Sequence, residues 1–168
     1  MGGVRVCGGA GGAAAQGEGD GKVSYGEAFA VQPFGNSLVV KTLTGQQIYD
    51  LLNQQWALNQ PPQGRVLQVS RGFTYRHRFV PSVSPLGGSY VCEGSAMLNG
   101  TPIDRAASYR VAMNSFLATG GDNFTMFNQG IAQLGGDVDL DALAAYFSTR
   151  SAVSPGPRDR IVQVAACS

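Results

Sequence analysis

The sequence predicts an α+β fold, a single domain with a mixed β-sheet and short helices, on three observations. Apolar residues alternate at a period of two in several runs and recur at three- and four-residue spacing in others. Strand-like and helix-like runs follow one another without the regular alternation of a doubly wound sheet. The 168 residues suit one domain, which buries roughly two thirds of its unfolded surface without a metal or disulfide. Glycine, at 24 residues, and a charged share of only 14% point to numerous loops.

The first 22 residues contain a glycine–alanine tract that offers little to bury, so they read as a flexible lead-in and order is expected from Val23. Ser24 and Glu27 have the spacing of a capping box and predict a short helix ending before Pro33. "QPFGN" is a bend, and "SLVVKTL" is a strand by its β-branched content. Thr44 and Gln47 repeat the capping-box spacing, and Ile48, Leu51, Leu52 and Trp56 mark one face of the helix that follows. In "RVLQVSRGFTYRHRF", Leu67, Val69, Phe73 and Tyr75 share one side of a predicted strand, with a bulge at Gly72. Asn99-Gly100 predicts a two-residue hairpin whose second arm Pro102 confines to an edge. Tyr109, Val111 and Met113 alternate in a further strand, which leads into "NSFLATGGDNF". Asp139 is expected to cap a last helix with Leu140, Leu143, Ala144 and Phe147 on its apolar stripe, and "RIVQVAA" reads as a closing strand.

Several function classes are disfavoured. Twelve basic and eleven acidic residues, with no basic run, do not make a surface for polymeric nucleic acid. Cys7, Cys92 and Cys167 are odd in number and far apart, so they read as buried small hydrophobes rather than a disulfide framework or zinc site. His77, the single histidine, lies between two arginines and reads as a solvated strand residue. No apolar run is long enough to span a membrane, and residues 1 to 20 lack the basic start and apolar middle of a signal peptide.

The bend "NSFLATGGDNF" combines two aromatic rings, two glycines and an acid. Read on these residues alone, Asp122 closes an Asx turn and Phe116 and Phe124 enter the core. In wider context four pieces, "GGVR" at 2 to 5, "YGEAFAVQPFGNSLVVKTLTGQQI" at 25 to 48, "LQVSRGFTY" at 67 to 75 and "YRVAMNSFLATGGDNF" at 109 to 124, resemble in order the C-terminal, substrate-binding domain of the 5'-nucleotidase and UDP-sugar hydrolase family of metallophosphatases. The resemblance implies that Phe34 and Phe116 clamp a nucleotide base, that Asn36 meets the base edge, and that Asp122 accepts from ribose hydroxyls. Gly120 and Gly121 would let backbone approach the sugar, and Arg5 would grip the phosphate. This chain departs from the family pattern in two places: Met1 stands where a small residue is expected with an asparagine before it, and Arg71 replaces a small residue.

The resemblance also implies that hydrolysis belongs to a metal-bearing N-terminal domain, the chain's partner, whose divalent pair activates water. One histidine cannot supply such a site, so this chain alone is expected to be inactive and to hold no cofactor. Because Met1 falls inside the binding motif, a separated domain or a shortened reading frame is expected. Periplasmic or extracellular placement is implied by resemblance only. Two other readings stand beside this one. "VRVCGGAGGAAAQG" looks like a strand entering a dinucleotide-binding turn, with Gly9, Gly11 or Gly12 near a pyrophosphate. A ligand-free interaction module is the third.

Overall fold

The computed structural model describes residues 23–80, 88–150, 153–154 and 156–167. Arg5, Cys7 and the glycines of the alternative dinucleotide reading lie outside them. The fold is α+β, with two sheets and short helices. Its contacts divide it into two units, one built from 23–38 and 136–156, the other from 39–135 and 157–167 among the described residues.

In the first unit, α1 (Tyr25–Val31) starts at Ser24, where the predicted capping box closes: the Ser24 side chain accepts from the Glu27 N–H, and the Glu27 carboxylate accepts from the Ser24 N–H at 2.8 Å. α1 packs against α4 (Asp139–Ser148), with the Tyr25 hydroxyl 3.4 Å from an Asp141 carboxylate oxygen. Asp139 does not cap α4. It is the first helical residue and is buried, while Val138 occupies the cap position, and the Asp139 N–H donates to the Asn36 carbonyl at 2.7 Å. A backbone acceptor has taken the place that a side-chain cap would fill.

The second unit holds the main core, which includes Val39, Leu43, Ile48, Leu51, Leu52 and Tyr75. β1 (Ser37–Thr44) runs into α2 (Gly45–Gln54) through the second predicted capping box, Thr44 with Gln47. α2 ends before Trp56, which packs against the core from the following loop. β1 is the middle strand of the order β6-β1-β7, with β6 at Ser108–Asn114 and β7 at Ile131–Val138.

The second sheet centres on β2 (Phe73–Val80). It pairs antiparallel with β3 (Gly88–Val91) and β4 (Met97–Leu98), and parallel with β8 (Ile161–Val164). β5 (Thr101–Pro102) completes the predicted hairpin at the sheet edge; Asn99 and Gly100 both have positive φ, 52° and 80°, as a two-residue hairpin turn demands. The predicted strand across 65–79 is broken. Arg71 and Gly72 form a turn, with Gly72 at φ 92°, and only the part from Phe73 onward joins a ladder.

Two sequence expectations are corrected here. Cys92 and Cys167 are not separate buried thiols but a disulfide, with Cα atoms 5.3 Å apart. Cys92 follows β3 and Cys167 follows β8, and both strands flank β2, so the sheet brings together residues 75 apart in sequence. His77 is not a solvated strand residue either. Its ring stacks on Trp56 with centroids 4.7 Å apart, and its Nδ1 is buried with no hydrogen-bond partner. Burial lowers its pKa below the usual histidine value.

Candidate functional site

The bend after β6 is built from the side chain of Asn114 outward. Asn114 ends β6, and its amide oxygen accepts from the Leu117 N–H at 2.8 Å, starting the single-turn helix α3 (Ser115–Ala118). Gly120, at φ 84°, ends the turn in the left-handed region. A Cβ on Gly121 would stand 2.6 Å from the Phe116 ring, so only glycine lets the ring lie over this backbone. Asp122 and Asn123 continue at φ 53° and 64°. Phe124 then enters the core at 1% exposure, as its reading on these residues alone predicts. Phe116 does not: the residue is 49% exposed.

Residues that the sequence reading passed over hold this bend from two sides. Lys41 is buried, and its ammonium donates to the Ala118 carbonyl at 2.7 Å and to the Phe127 carbonyl at 3.0 Å. It thereby ties the end of α3 to the 3-10 turn Thr125–Gln129. A signal was present. Val39, Lys41 and Leu43 share one parity of β1, and all three are buried, so the lysine interrupts a core face and needs acceptors there.

From the other side comes the loop 59–65. The Gln60 amide donates to the Asp122 carbonyl at 2.7 Å, the Asn123 amide donates to the Asn59 carbonyl at 2.9 Å, and Arg65 pairs with the Asp122 carboxylate at 3.1 Å. That loop is anchored in turn: the Arg65 N–H donates to the carbonyl of Gln55, a fully buried residue whose side chain also binds Tyr75 and the Leu67 N–H. Burial raises the Tyr75 pKa above the usual phenol value, and the Gln55 hydrogen bond opposes this.

Phe34 stands in the first unit at 75% exposure, followed by Gly35 at φ 61°. Asn36 is half-buried, and its carbonyl accepts from the Asp139 N–H. Phe116, Gly120, Gly121 and Asp122 are thus gathered in one bend of the second unit, while Phe34 and Asn36 share a bend of the first. Arg71 is exposed in its turn. Among the described residues, no group of three or more His, Cys, Asp or Glu side chains is placed to hold a metal ion, and no helix is long and apolar enough to cross a membrane.

A model of the family described as "5'-nucleotidase, C-terminal domain" matches residues 2–129. The cell wall protein Lmo0130 of Listeria monocytogenes is 34% identical over 134 residues, which is 80% of this chain and 16% of that protein. Protein UshA of Escherichia coli is 30% identical over 132 residues, 78% of this chain and 22% of its own length. Among solved structures, the 5'-nucleotidase precursor of Thermus thermophilus superposes with a TM-score of 0.65 at 33% identity, over 86% of this chain and 28% of that one. The chain therefore spans well under a third of the length of each of these relatives.

Proposed function

The chain belongs to the 5'-nucleotidase C-terminal domain family, and on that premise we propose that it holds the nucleotide in a phosphoric monoester hydrolase whose chemistry is carried by a separate metal-bearing domain. Phe34 and Phe116 stack on the two faces of the base, Asn36 meets its edge, and Asp122 accepts from the ribose hydroxyls. Gly120 and Gly121 give the sugar access to backbone. Arg5 binds the phosphate through a permanently charged planar fork. The described residues offer no ligand set for a metal pair, and no hydrolytic step is assigned to them.

The observation that carries this reading is the exposure of Phe116 on a bend fastened by Lys41, Gln60 and Arg65. A large apolar ring left in water on a rigid bend gains by covering a flat heterocycle, and stacking of this kind is worth about 1–3 kcal/mol per base. Asp122 suits the sugar for a related reason. Its Oδ2 faces Arg65, which keeps the carboxylate in place while Oδ1 receives a hydroxyl. Periplasmic or extracellular placement is part of the proposal, supported by the disulfide, since such bonds persist mainly in oxidising compartments.

The test is a titration of the isotope-labelled chain with adenosine, AMP and ribose 5-phosphate. Adenosine and AMP should both move the amide resonances of Phe116 and of 120–122, and ribose 5-phosphate should move those of 120–122 far less and that of Phe116 not at all. Shifts caused by ribose 5-phosphate alone would remove the base from the centre of the reading. The chain should also release no phosphate from AMP with added divalent metal. Release that follows the purified protein and stops on chelation would contradict the assignment of the chemistry to another domain.

A further inference from the structure

The Cys92–Cys167 disulfide lies on the outer face of the second sheet. Tyr75 of β2 is 1% exposed and belongs to the core, so the next residue, Arg76, points to the opposite face, where it is exposed. The Cys92 N–H donates to the Arg76 carbonyl at 2.9 Å, one step beyond the His77–Val91 pair of the ladder. Cys92 therefore stands opposite Arg76 on that outer face. β3 pairs with 77–80 of β2 and β8 with 75–78, so the two flank β2 on opposite edges, about 10 Å apart. The Cα atoms of Cys92 and Cys167 are only 5.3 Å apart, so the chain after β8 folds back over β2. Beside this return the face opens into a cleft of about 360 Å³, whose walls include Arg76, Cys92, Ser95, Val162 and Cys167.

We propose that this cleft is a thiol-exchange site: a dithiol from solvent opens the Cys92–Cys167 bond by attack on Cys167, and the opened bond releases β8 from β2 while the rest of the unit stays folded. Cys92 is 2% exposed and Cys167 is half-buried, so the Cys167 Sγ is the sulfur within reach and Cys92 is the leaving group. One thiolate of the reagent bonds to the Cys167 Sγ as the protein's S–S bond breaks, and Cys92 departs as a thiolate that takes up a proton. The second thiol of the reagent then attacks the reagent's own sulfur in the mixed disulfide and frees Cys167. Two electrons and two protons pass to the protein, which is left with two thiols. The dithiol is oxidised to a disulfide.

Little else holds β8. Ile161 packs against the core, but Val162 and Gln163 are exposed, so the strand buries little apolar surface against the chain entropy of ordering it. Its other ties are the four-residue parallel ladder, the Tyr75 N–H donating to the Arg160 carbonyl at 2.9 Å, and the Arg160 guanidinium donating to the Val69 carbonyl at 2.6 Å. β2 does not need β8 to stay in its sheet, since its ladders with β3 and β4 remain. Once β8 leaves, the two thiols separate, and closing the bond again first requires the strand to dock. Opening therefore leaves 75–78 of β2 unpaired along one edge. The inference is independent of what Phe116 binds.

The experiment uses the folded chain with Cys7→Ser, which leaves Cys92 and Cys167 as its cysteines. Brief exposure to glutathione, then acid quenching and peptide mapping, should find the glutathione on Cys167 and not on Cys92. With excess dithiothreitol and no denaturant, both thiols should become open to alkylation. Amide hydrogen exchange at Ile161–Val164 should then speed up by about tenfold or more, while the ladder between β2 and β3 stays protected. Cys167→Ser should show the same fast exchange with no reductant. Glutathione on Cys92, reduction only at urea concentrations that unfold the chain, or β8 amides as slow after reduction as before would each overturn the proposal. So would loss of protection through β2 and β3 as well, because the bond would then hold the whole unit rather than one strand.

Discussion

At Asp122 and Asn123 the backbone lies in the left-handed region, a conformation costing roughly 1–2 kcal/mol for an ordinary residue and less for these two. Hydrogen bonds from Gln60 and to Asn59 hold it there, and the bend keeps Phe116 over Gly121. Gly121→Ala would drive a methyl into that ring; it should weaken adenosine binding by at least as much as a lost stacking contact, about 1–3 kcal/mol, read by calorimetry. Lys41→Met keeps the stem and removes the ammonium that serves two buried carbonyls. Each stranded carbonyl costs about 1–3 kcal/mol, so the urea midpoint should fall clearly while the cooperativity of unfolding is kept.

His77 carries a pH dependence whose sign follows from burial. Desolvation lowers its folded-state pKa, so below the unfolded value of about 6.5 the unfolded chain binds more protons. Its contribution to stability is complete above that value and is lost as pH falls through the folded pKa. Urea midpoints at pH 7.5 and pH 5 should differ in the parent chain, and His77→Gln should reduce the difference.

Among the elements, those governed by local chemistry were legible in the sequence. Both capping boxes, the Asn99-Gly100 hairpin and the alternation through β6 arose where the sequence places them, because each depends on residues a few positions apart. β7 was not legible: it includes Gly135 and Gly136 and all its residues are exposed, so no apolar alternation marks it. The Cys92–Cys167 bond was invisible for a different reason, since only the register of β3 and β8 against β2 brings the two together. Phe116 and Asp122 were singled out through the family motif and stay proposals as site residues, whereas the contacts of Gln60 and Arg65 with their bend are tertiary and left no mark in the sequence. Closing a loop of 75 residues corresponds to about 4.5 kcal/mol in the chain-entropy account. Reduction, or Cys167→Ser, should therefore lower the melting temperature strongly, as differential scanning calorimetry would show.

For the whole molecule, the proposed clamp rests on Phe34 and Phe116. The clamp is proposed to hold the base more strongly than Arg5 holds the phosphate, because stacking contributes about 1–3 kcal/mol per base, whereas an ion pair in contact with water returns about 0–1 kcal/mol. The most direct measurement is calorimetric titration of the parent chain and of Phe34→Ala, Phe116→Ala and Arg5→Ala with adenosine and AMP. Each phenylalanine change should cost about 1–3 kcal/mol with both ligands, and Arg5→Ala clearly less, even with AMP. A loss at Arg5 larger than at either phenylalanine, or binding untouched by both ring deletions, would contradict a domain that holds its nucleotide by the base.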